Sequence, residues 1–336
     1  MTLEDRIKAF HQLGHHLRNL DETNRHSLLH EPQQFNPWFT PEQVNLAIAN
    51  VSRQLQYDNL LHWTKSYGSG QTNAKNVGVV MAGNIPLVGF HDLLSVLLSG
   101  HHLVAKPSSQ DNFLIRYMAD HLVRIDPRFG NRIEFRDRLN AVDAVIATGG
   151  DNTARYFEYY FRNIPHLIRK NRSSCAILNG NESPKDLEGL GIDIFSFYGL
   201  GCRNVSKLFV PDRYDVTQLF KYWSSHENII NHHKYANNYD YNKSIMLVNR
   251  TQFLEVGFVL VTESSEIVSP ISVLFYERYQ SEGRLQNRII ESADKIQCVV
   301  GNAGQGIQTI PFGKAQYPEL SDYADGVDTM KFLAAL

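Results

Sequence analysis

Three cysteines in 336 residues, with no pair at C-x-x-C spacing, are too few and too irregular for a disulfide framework, a zinc knuckle or a dithiol redox centre. Charge is sparse and balanced: 33 basic against 35 acidic side chains leave a formal net charge of −2, so no strong field draws the chain to nucleic acid or an anionic membrane. No stretch reaches the roughly 18 uncharged apolar residues of a membrane span. The opening Met1-Thr2-Leu3-Glu4-Asp5-Arg6-Ile7 lacks the apolar core of a secretory signal, and we expect a cytoplasmic protein. The dinucleotide fingerprint G-x-G-x-x-G is missing, as are internal repeats and low-complexity tracts. Histidine occurs in the doublets His15-His16, His101-His102 and His232-His233, but adjacent residues point to different faces. No carboxylate or third histidine stands at ligand spacing beside them, so no metal is expected.

What is there is the composition of a globular chain, 43% hydrophobic and 20% charged, long enough for about two domains. Residues 2 to about 67 repeat apolar side chains at three and four spacing (Ile7, Phe10, Leu13, Leu17, then Val44, Leu46, Ile48, Val51, Leu55), which predicts helices, one of them starting at Pro41 behind a Thr40 cap. The polar segment Ser66 to Asn73 then marks a boundary. From Asn76 strands and helices alternate. Val77 to Ala82, Leu103 to Lys106 and Ala144 to Ala147 read as buried strands; Pro86 to Gly100, Phe113 to Val123 and the stretch from Asp151 read as helices. Beyond Ser173 follow a strand at Ser174 to Leu178, a helix capped by Ser183-Pro184, and apolar strands at Val205 to Val210, Phe258 to Val261 and Ile271 to Phe275. A polar helix from Glu282 to Asp294 comes next. Such alternation predicts an α/β fold with parallel, doubly wound sheets.

Four places in this frame have chemistry. Cys202 stands in Gly199-Leu200-Gly201-Cys202, on a turn before a strand, where a thiol can face a cleft; a lone cysteine is otherwise more often a buried structural thiol, as we expect of Cys175 and Cys298. The turn Gly83-Asn84-Ile85-Pro86 puts an amide at the carboxyl end of a strand. Thr148-Gly149-Gly150 sets glycines between a strand and a helix N-terminus, a favourable place for phosphate. Lys106 ends a strand otherwise too apolar to need a charge.

Taken in order, these parts resemble the aldehyde dehydrogenase superfamily, and within it the acyl-CoA reductase family that includes the fatty-acid reductase of bacterial bioluminescence. The resemblance spans about residues 76 to 336. Gly83-Asn84-Ile85-Pro86-Leu87 is similar to the family's N-F-P turn, whose Asn donates to an oxyanion. Gly100-His101-His102-Leu103-Val104-Ala105-Lys106-Pro107-Ser108 resembles G-N-x-V-V-x-K-P-S, whose Lys holds the adenosine ribose. Thr148-Gly149-Gly150 resembles the cofactor-side T-G-S turn, Gly201-Cys202 the catalytic cysteine, and Glu266-Ile267-Val268-Ser269-Pro270 the E-I-F-G-P segment whose Glu binds the nicotinamide ribose. The closing Asp322-Tyr323-Ala324-Asp325-Gly326-Val327-Asp328 resembles the acyl-CoA reductases in particular.

The resemblance implies an aldehyde dehydrogenase-like fold: two doubly wound parallel-sheet domains behind a helical leader. The expected division is a leader at 1–75, a cofactor domain at 76–173 completed by about 314–336, and a cysteine domain at 174–313. It implies Cys202 as nucleophile, with Asn84 and the Cys202 backbone N–H as oxyanion donors. Lys106, Ser108, Ser109, Thr148, Gly149, Gly150 and Glu266 are the implied cofactor-binding residues. The implied reaction is NAD(P)H-dependent reduction of an acyl-CoA or acyl-carrier thioester to a fatty aldehyde, by a chain that can also form a homo-oligomer. One departure is informative. Hydrolytic members carry a water-activating Glu in an L-E-L-G-G-K segment, whereas Ile168-Arg169-Lys170-Asn171-Arg172-Ser173 puts Arg169 there, which disfavours a hydrolytic dehydrogenase. A non-catalytic protein that kept the fold is the other alternative, against which the joint presence of Asn84, Lys106, Cys202 and Glu266 argues.

NAD-preferring relatives carry a Glu three residues after the ribose-binding Lys. Ser109 stands at that position, a hydroxyl that can donate to a 2′-phosphate beside the charge of Lys106. We therefore expect NADPH to be accepted at least as well as NADH. In kcat/KM measurements with both cofactors, Ser109→Glu shifts preference toward NADH; an unmoved ratio would mean that Ser109 does not face the ribose.

Overall fold

The computed structural model describes residues 1–67, 73–302 and 306–336, so Gly68 to Thr72 of the expected boundary segment lie outside it. The chain forms two compact units, 1–171 with 318–336, and 172–317.

In the first unit five helices precede the sheet: α1 (Leu3–Arg18), α2 (Glu22–His30), α3 (Pro32–Phe35), α4 (Pro41–Gln54) and α5 (Tyr57–Thr64). A capping box, in which the Thr2 hydroxyl accepts from the Asp5 N–H and the Asp5 carboxylate from the Thr2 N–H, starts α1. At α4 the start after Thr40 is as expected, but the cap is not: the Thr40 hydroxyl has no partner among the described residues, and Pro41 at the first helical position already removes one orphan N–H. Then come β1 (Asn76–Val80), α6 (Phe90–Ser99), β2 (His102–Lys106), α7 (Asn112–Ile125), β3 (Ile133–Phe135), β4 (Ala144–Thr148), α8 (Asp151–Phe161) and β5 (His166–Arg169). All neighbours are parallel, in the order β3-β2-β1-β4-β5. Strands β3 and β5 are additions to the sequence reading; three and four residues with charged members leave no apolar run to see.

The helix expected from Pro86 begins at Phe90, because Leu87 is left-handed (φ 60°) and Ile85 to Gly89 form turns. Gly100 ends α6 as expected, at φ 93°, a conformation a Cβ disfavours. Every residue of α6 except His91 is buried, not one face alone, because α1 and the C-terminal helix pack on it as well as the sheet. Phe10 of α1 sets its ring edge-on to Phe90 (6.5 Å) and Phe129 (5.8 Å), which joins the leader to the sheet helices.

The second unit holds β6 (Ser173–Ile177), α9 (Pro184–Phe195), β7 (Val205–Pro211), α10 (Phe220–Trp223), α11 (His233–Val248), β8 (Leu254–Glu255), β9 (Leu260–Glu263), β10 (Val273–Tyr279), α12 (Glu282–Glu291) and β11 (Ile296–Gly301). Its sheet runs β11-β6-β7-β10-β9-β8, parallel except for the β8–β9 pair. Ser183 and Asp186 form a full capping box before α9. Helix α11 escapes sequence reading because HKYANNYDYNKSIMLV has no apolar stripe of helical period.

The chain returns to the first unit at 318–336, ending in α13 (Thr329–Ala334). There the segment Asp322 to Asp328 is tied to the leader: the Trp63 indole N–H donates to the Tyr323 hydroxyl (2.7 Å), and the Tyr67 hydroxyl donates to Asp328 (2.8 Å).

Arg169, at the end of β5, is buried. Its Nη1 donates to both Asp92 carboxylate oxygens (2.8 Å each) and its Nη2 to the Thr329 hydroxyl (2.7 Å), so it joins β5 to α6 and α13. Removing one partner strands a buried charge, so Asp92→Ala destabilises the chain by about 3 to 5 kcal/mol, whereas Asp92→Leu with Arg169→Met recovers much of the loss. Urea unfolding measures both; a loss below about 1 kcal/mol for Asp92→Ala would contradict the burial of this pair.

Candidate active site

The first unit's strand order reverses at β1. From β1 the chain goes outward to β2 and β3, then returns to place β4 on its other side. Ligands of open α/β sheets bind at the carboxyl ends of strands at such a switch point. The two segments that leave β1 and β4 there are Met81-Ala82-Gly83-Asn84 and Thr148-Gly149-Gly150.

The Asn84 turn is held from three sides. A Cβ on Gly83 would lie 2.6 Å from the Ser108 side chain, so only glycine lets the turn approach the segment after β2 this closely. Asn36 donates its amide to the Gly83 carbonyl (3.3 Å), and the Leu87 N–H donates to Asp111 Oδ2 (2.7 Å). Asp111 is 2% exposed and its other oxygen has no partner among the described residues; burial pushes its carboxyl well above the ordinary range. Sequence reading missed Asp111, although its place four residues after Pro107, in a Ser-rich turn, was a usable signal. Lys106 ends β2 with an exposed side chain that makes no hydrogen bond or ion pair among the described residues. The Ser108 hydroxyl accepts from the Gln110 N–H (3.2 Å), and Ser109 is exposed. Across the sheet the Gly149 N–H donates to the Arg169 carbonyl (3.1 Å), and Gly150 is the N-cap of α8, where it brings no side chain to cap the first amides.

Cys202 and Glu266 belong to the second unit. Helix α9 is followed by three left-handed residues in a row: Phe197 (φ 51°), Tyr198 (57°) and Gly199 (76°). The two side-chain-bearing residues cost about 1 kcal/mol or more each in that conformation. Asn204, 1% exposed, holds the loop closed. Its Oδ1 accepts from the Gly201 N–H (2.8 Å), and its Nδ2 lies within hydrogen-bond range of the Asp193, Ile194 and Ser196 carbonyls (3.1, 3.2 and 2.8 Å). The Ser174 hydroxyl donates to the Cys202 carbonyl (3.0 Å), and Arg203 Nε to the Ala315 carbonyl (2.6 Å). Cys202 thus sits half-buried on a pinned turn, and not in the core.

Of the other thiols, Cys175 is buried and its pKa is driven up by desolvation, as fits a structural residue. Cys298 differs from expectation. It is half-buried at the margin of the core, on the edge strand β11, with its Sγ 3.0 Å from the Ser174 hydroxyl. His232 and His233 also differ: their rings stack 20° from parallel at 5.2 Å instead of diverging, because His232 is an extended N-cap residue and His233 begins α11.

Glu266 lies in the loop after β9. Its carbonyl accepts from Lys207 Nζ (3.1 Å), and its carboxylate is exposed, with no partner among the described residues. Ser206 donates to the Ile267 carbonyl (3.0 Å), and Tyr198, Gly199, Ser206, Ser269 and Pro270 line one cavity of about 30 Å³, so the loops of Cys202 and Glu266 meet. Sequence reading missed Lys207, a fully buried cation in an apolar strand.

Asp193 supports this loop from below. Its carboxylate accepts from the Gly313 and Ala315 N–H groups (2.6 and 2.9 Å), and burial pushes its carboxyl up to about 6 against those two bonds. Between about pH 4 and 6 the folded chain therefore holds a proton that the unfolded chain has lost, and this group's contribution to stability falls as pH rises. Asp193→Asn lacks that dependence. Relative to the variant, wild type should lose about 2 kcal/mol between pH 4 and pH 7 in urea titrations; parallel pH profiles would refute the shift.

The acyl-CoA reductase (LuxC) family profile matches residues 17–226. Among solved structures, aldehyde dehydrogenase from Bacillus cereus is 16% identical with a TM-score of 0.65, over 91% of this chain and 73% of that one. The same organism's enzyme in complex with NAD+ gives 15% identity and 0.62, over 86% and 69%. A NAD-dependent benzaldehyde dehydrogenase from Corynebacterium glutamicum gives 12% and 0.68, over 90% and 77%. No curated protein matches. These likenesses establish the aldehyde dehydrogenase-like fold, and the family profile covers well over half of the sequence: the chain belongs to the acyl-CoA reductase (LuxC) family.

Proposed function

We propose that this chain reduces an acyl thioester, acyl-CoA or an acyl carrier, to the aldehyde through a thioester on Cys202, with NADPH, or NADH, as reductant. The observation that carries this reading is the Cys202 turn: a half-exposed thiol presented on a loop whose left-handed backbone is held by Asn204 and Ser174.

The first unit fits a nicotinamide dinucleotide. Its switch point is bordered by Gly149 and Gly150 at the uncapped start of α8. Lys106, without a partner among the described residues, suits the adenosine ribose or its phosphate, with Ser108 and Ser109 beside it, and the exposed Glu266 of the second unit suits the nicotinamide ribose. When bound, the cofactor supplies the hydride that reduces the thioester carbonyl.

In the first step the Cys202 thiolate attacks the acyl carbonyl, and the C–S bond to the donor breaks with release of its thiolate, which needs no acid because a thiol leaves readily. Asn84 is the amide donor to the oxyanion, an interaction worth about 3 kcal/mol in comparable sites. After reduction the alkoxide of the hemithioacetal collapses: its C–S bond breaks, Cys202 leaves as the thiolate that begins the next turnover, and the aldehyde is free. Arg169, locked to Asp92 and Thr329, has neither the charge nor the freedom to activate water, which favours transfer to a thiol over hydrolysis.

Intact-mass measurement after incubation with an acyl-CoA should find one acyl adduct, absent in Cys202→Ala and retained in Cys175→Ser. Cys202→Ala should keep its fold and lose reductase activity; comparable activity would end the mechanism. Isolated acyl-enzyme should decay far faster with free CoA than in buffer, and fast decay in buffer alone would favour a hydrolytic dehydrogenase.

A further inference from the structure

Three buried or half-buried charges of the second unit converge on one short loop. Lys207, in β7, has a side chain with 0% exposure. Its Nζ donates to the Ser264 and Glu266 carbonyls and pairs with Glu277 Oε2 at 2.8 Å. Glu277 is on the neighbouring strand β10, and its carboxylate also receives Arg288 Nε of α12 (3.1 and 3.4 Å). Arg288 in turn donates Nη2 to the Ser265 carbonyl and Nη1 to the Ser292 hydroxyl (2.5 Å). Three consecutive carbonyls, 264 to 266, are thus gripped by two cations that share one carboxylate.

Stability alone does not explain this arrangement. Burying an ammonium costs several kcal/mol, and an apolar side chain at 207 would join a strand whose neighbours Leu208, Phe209 and Val210 are all buried. A surface loop could satisfy its carbonyls with water. What the charges add is direction: all three bonds fix backbone, while the Glu266 side chain at the end of the loop stays exposed and unpaired among the described residues.

We infer that Lys207, Glu277 and Arg288 form an ionic clamp that sets the path of residues 264–266 and thereby aims the Glu266 carboxylate at the cofactor. They are positioning residues and touch no substrate. The inference rests on the reading of Glu266 as a ribose ligand, and the test separates the two. Full-length Lys207→Met, Arg288→Gln, Glu266→Gln and Lys207→Met/Glu266→Gln are compared by NADPH affinity in calorimetry and by hydrogen exchange at amides 264–268. Lys207→Met and Arg288→Gln should each speed exchange in the loop and weaken NADPH about tenfold, while the double variant should bind within about twofold of Glu266→Gln, because the clamp acts through that carboxylate. Should Lys207→Met fold poorly, Arg288→Gln, in combination with Glu266→Gln, carries the same comparison. Multiplicative losses in the double variant, or unchanged exchange in the loop, overturn the clamp. Weakened binding in Glu266→Gln with none in the clamp variants also overturns it and leaves the ribose reading standing. Unchanged affinity in Glu266→Gln overturns the ribose reading, and the positioning role falls with it even where loop exchange has quickened.

Discussion

Asn204 carries the loop on which the chemistry proposed for the second unit depends. A helix that ends in left-handed residues leaves its last carbonyls without partners, and here one buried amide reaches three of them while accepting the Gly201 N–H from the far side of the loop. Asn is the residue that can do this, since it offers a donor and an acceptor on one short, uncharged side chain. Together with the rings of His232 and Tyr235 beside Tyr198, the burial of the Phe197 ring and the Ser174 bond to the Cys202 carbonyl, it opposes the strain at Phe197 and Tyr198 and holds the turn that bears Cys202.

The same principle recurs elsewhere with carboxyl groups and cations in place of an amide. Asp111 holds the Leu87 N–H and so keeps the Asn84 turn out of helix α6; Asp193 holds two N–H groups under the cysteine loop; Lys207 and Arg288 hold three carbonyls of the Glu266 loop. In each case buried or half-buried polar groups grip backbone, and the residue proposed for chemistry lies a few positions away with its own side chain exposed or half-exposed. Such an arrangement spends folding free energy to preorganise a site, which is how a first contact shell is kept within the tolerance that catalysis needs.

Arg169 shows a buried charge used to join elements and not to hold a loop. Its guanidinium is drawn inward by Asp92 and Thr329. The charge has been absorbed into the framework between β5, α6 and α13.

The sequence by itself determined the alternation of buried strands and helices, the end of α6 at Gly100, the start of α9 at Ser183-Pro184 and the order of the motifs around Asn84, Lys106, Thr148, Cys202 and Glu266. These are local: apolar runs, caps and turn residues act within a few positions of one another. Only the tertiary structure decided that α6 starts at Phe90, since the Asp111 carboxylate that holds Leu87 left-handed comes from 24 residues away. It likewise decided that β3 and β5 are strands, because such short segments gain their hydrogen bonds only from neighbours already in place. Lys207 shows the limit most clearly. In the sequence it is a cation in an apolar run, and its meaning depends on carbonyls some 57 to 59 residues later and a carboxylate on the adjacent strand, which no spacing along the chain reveals.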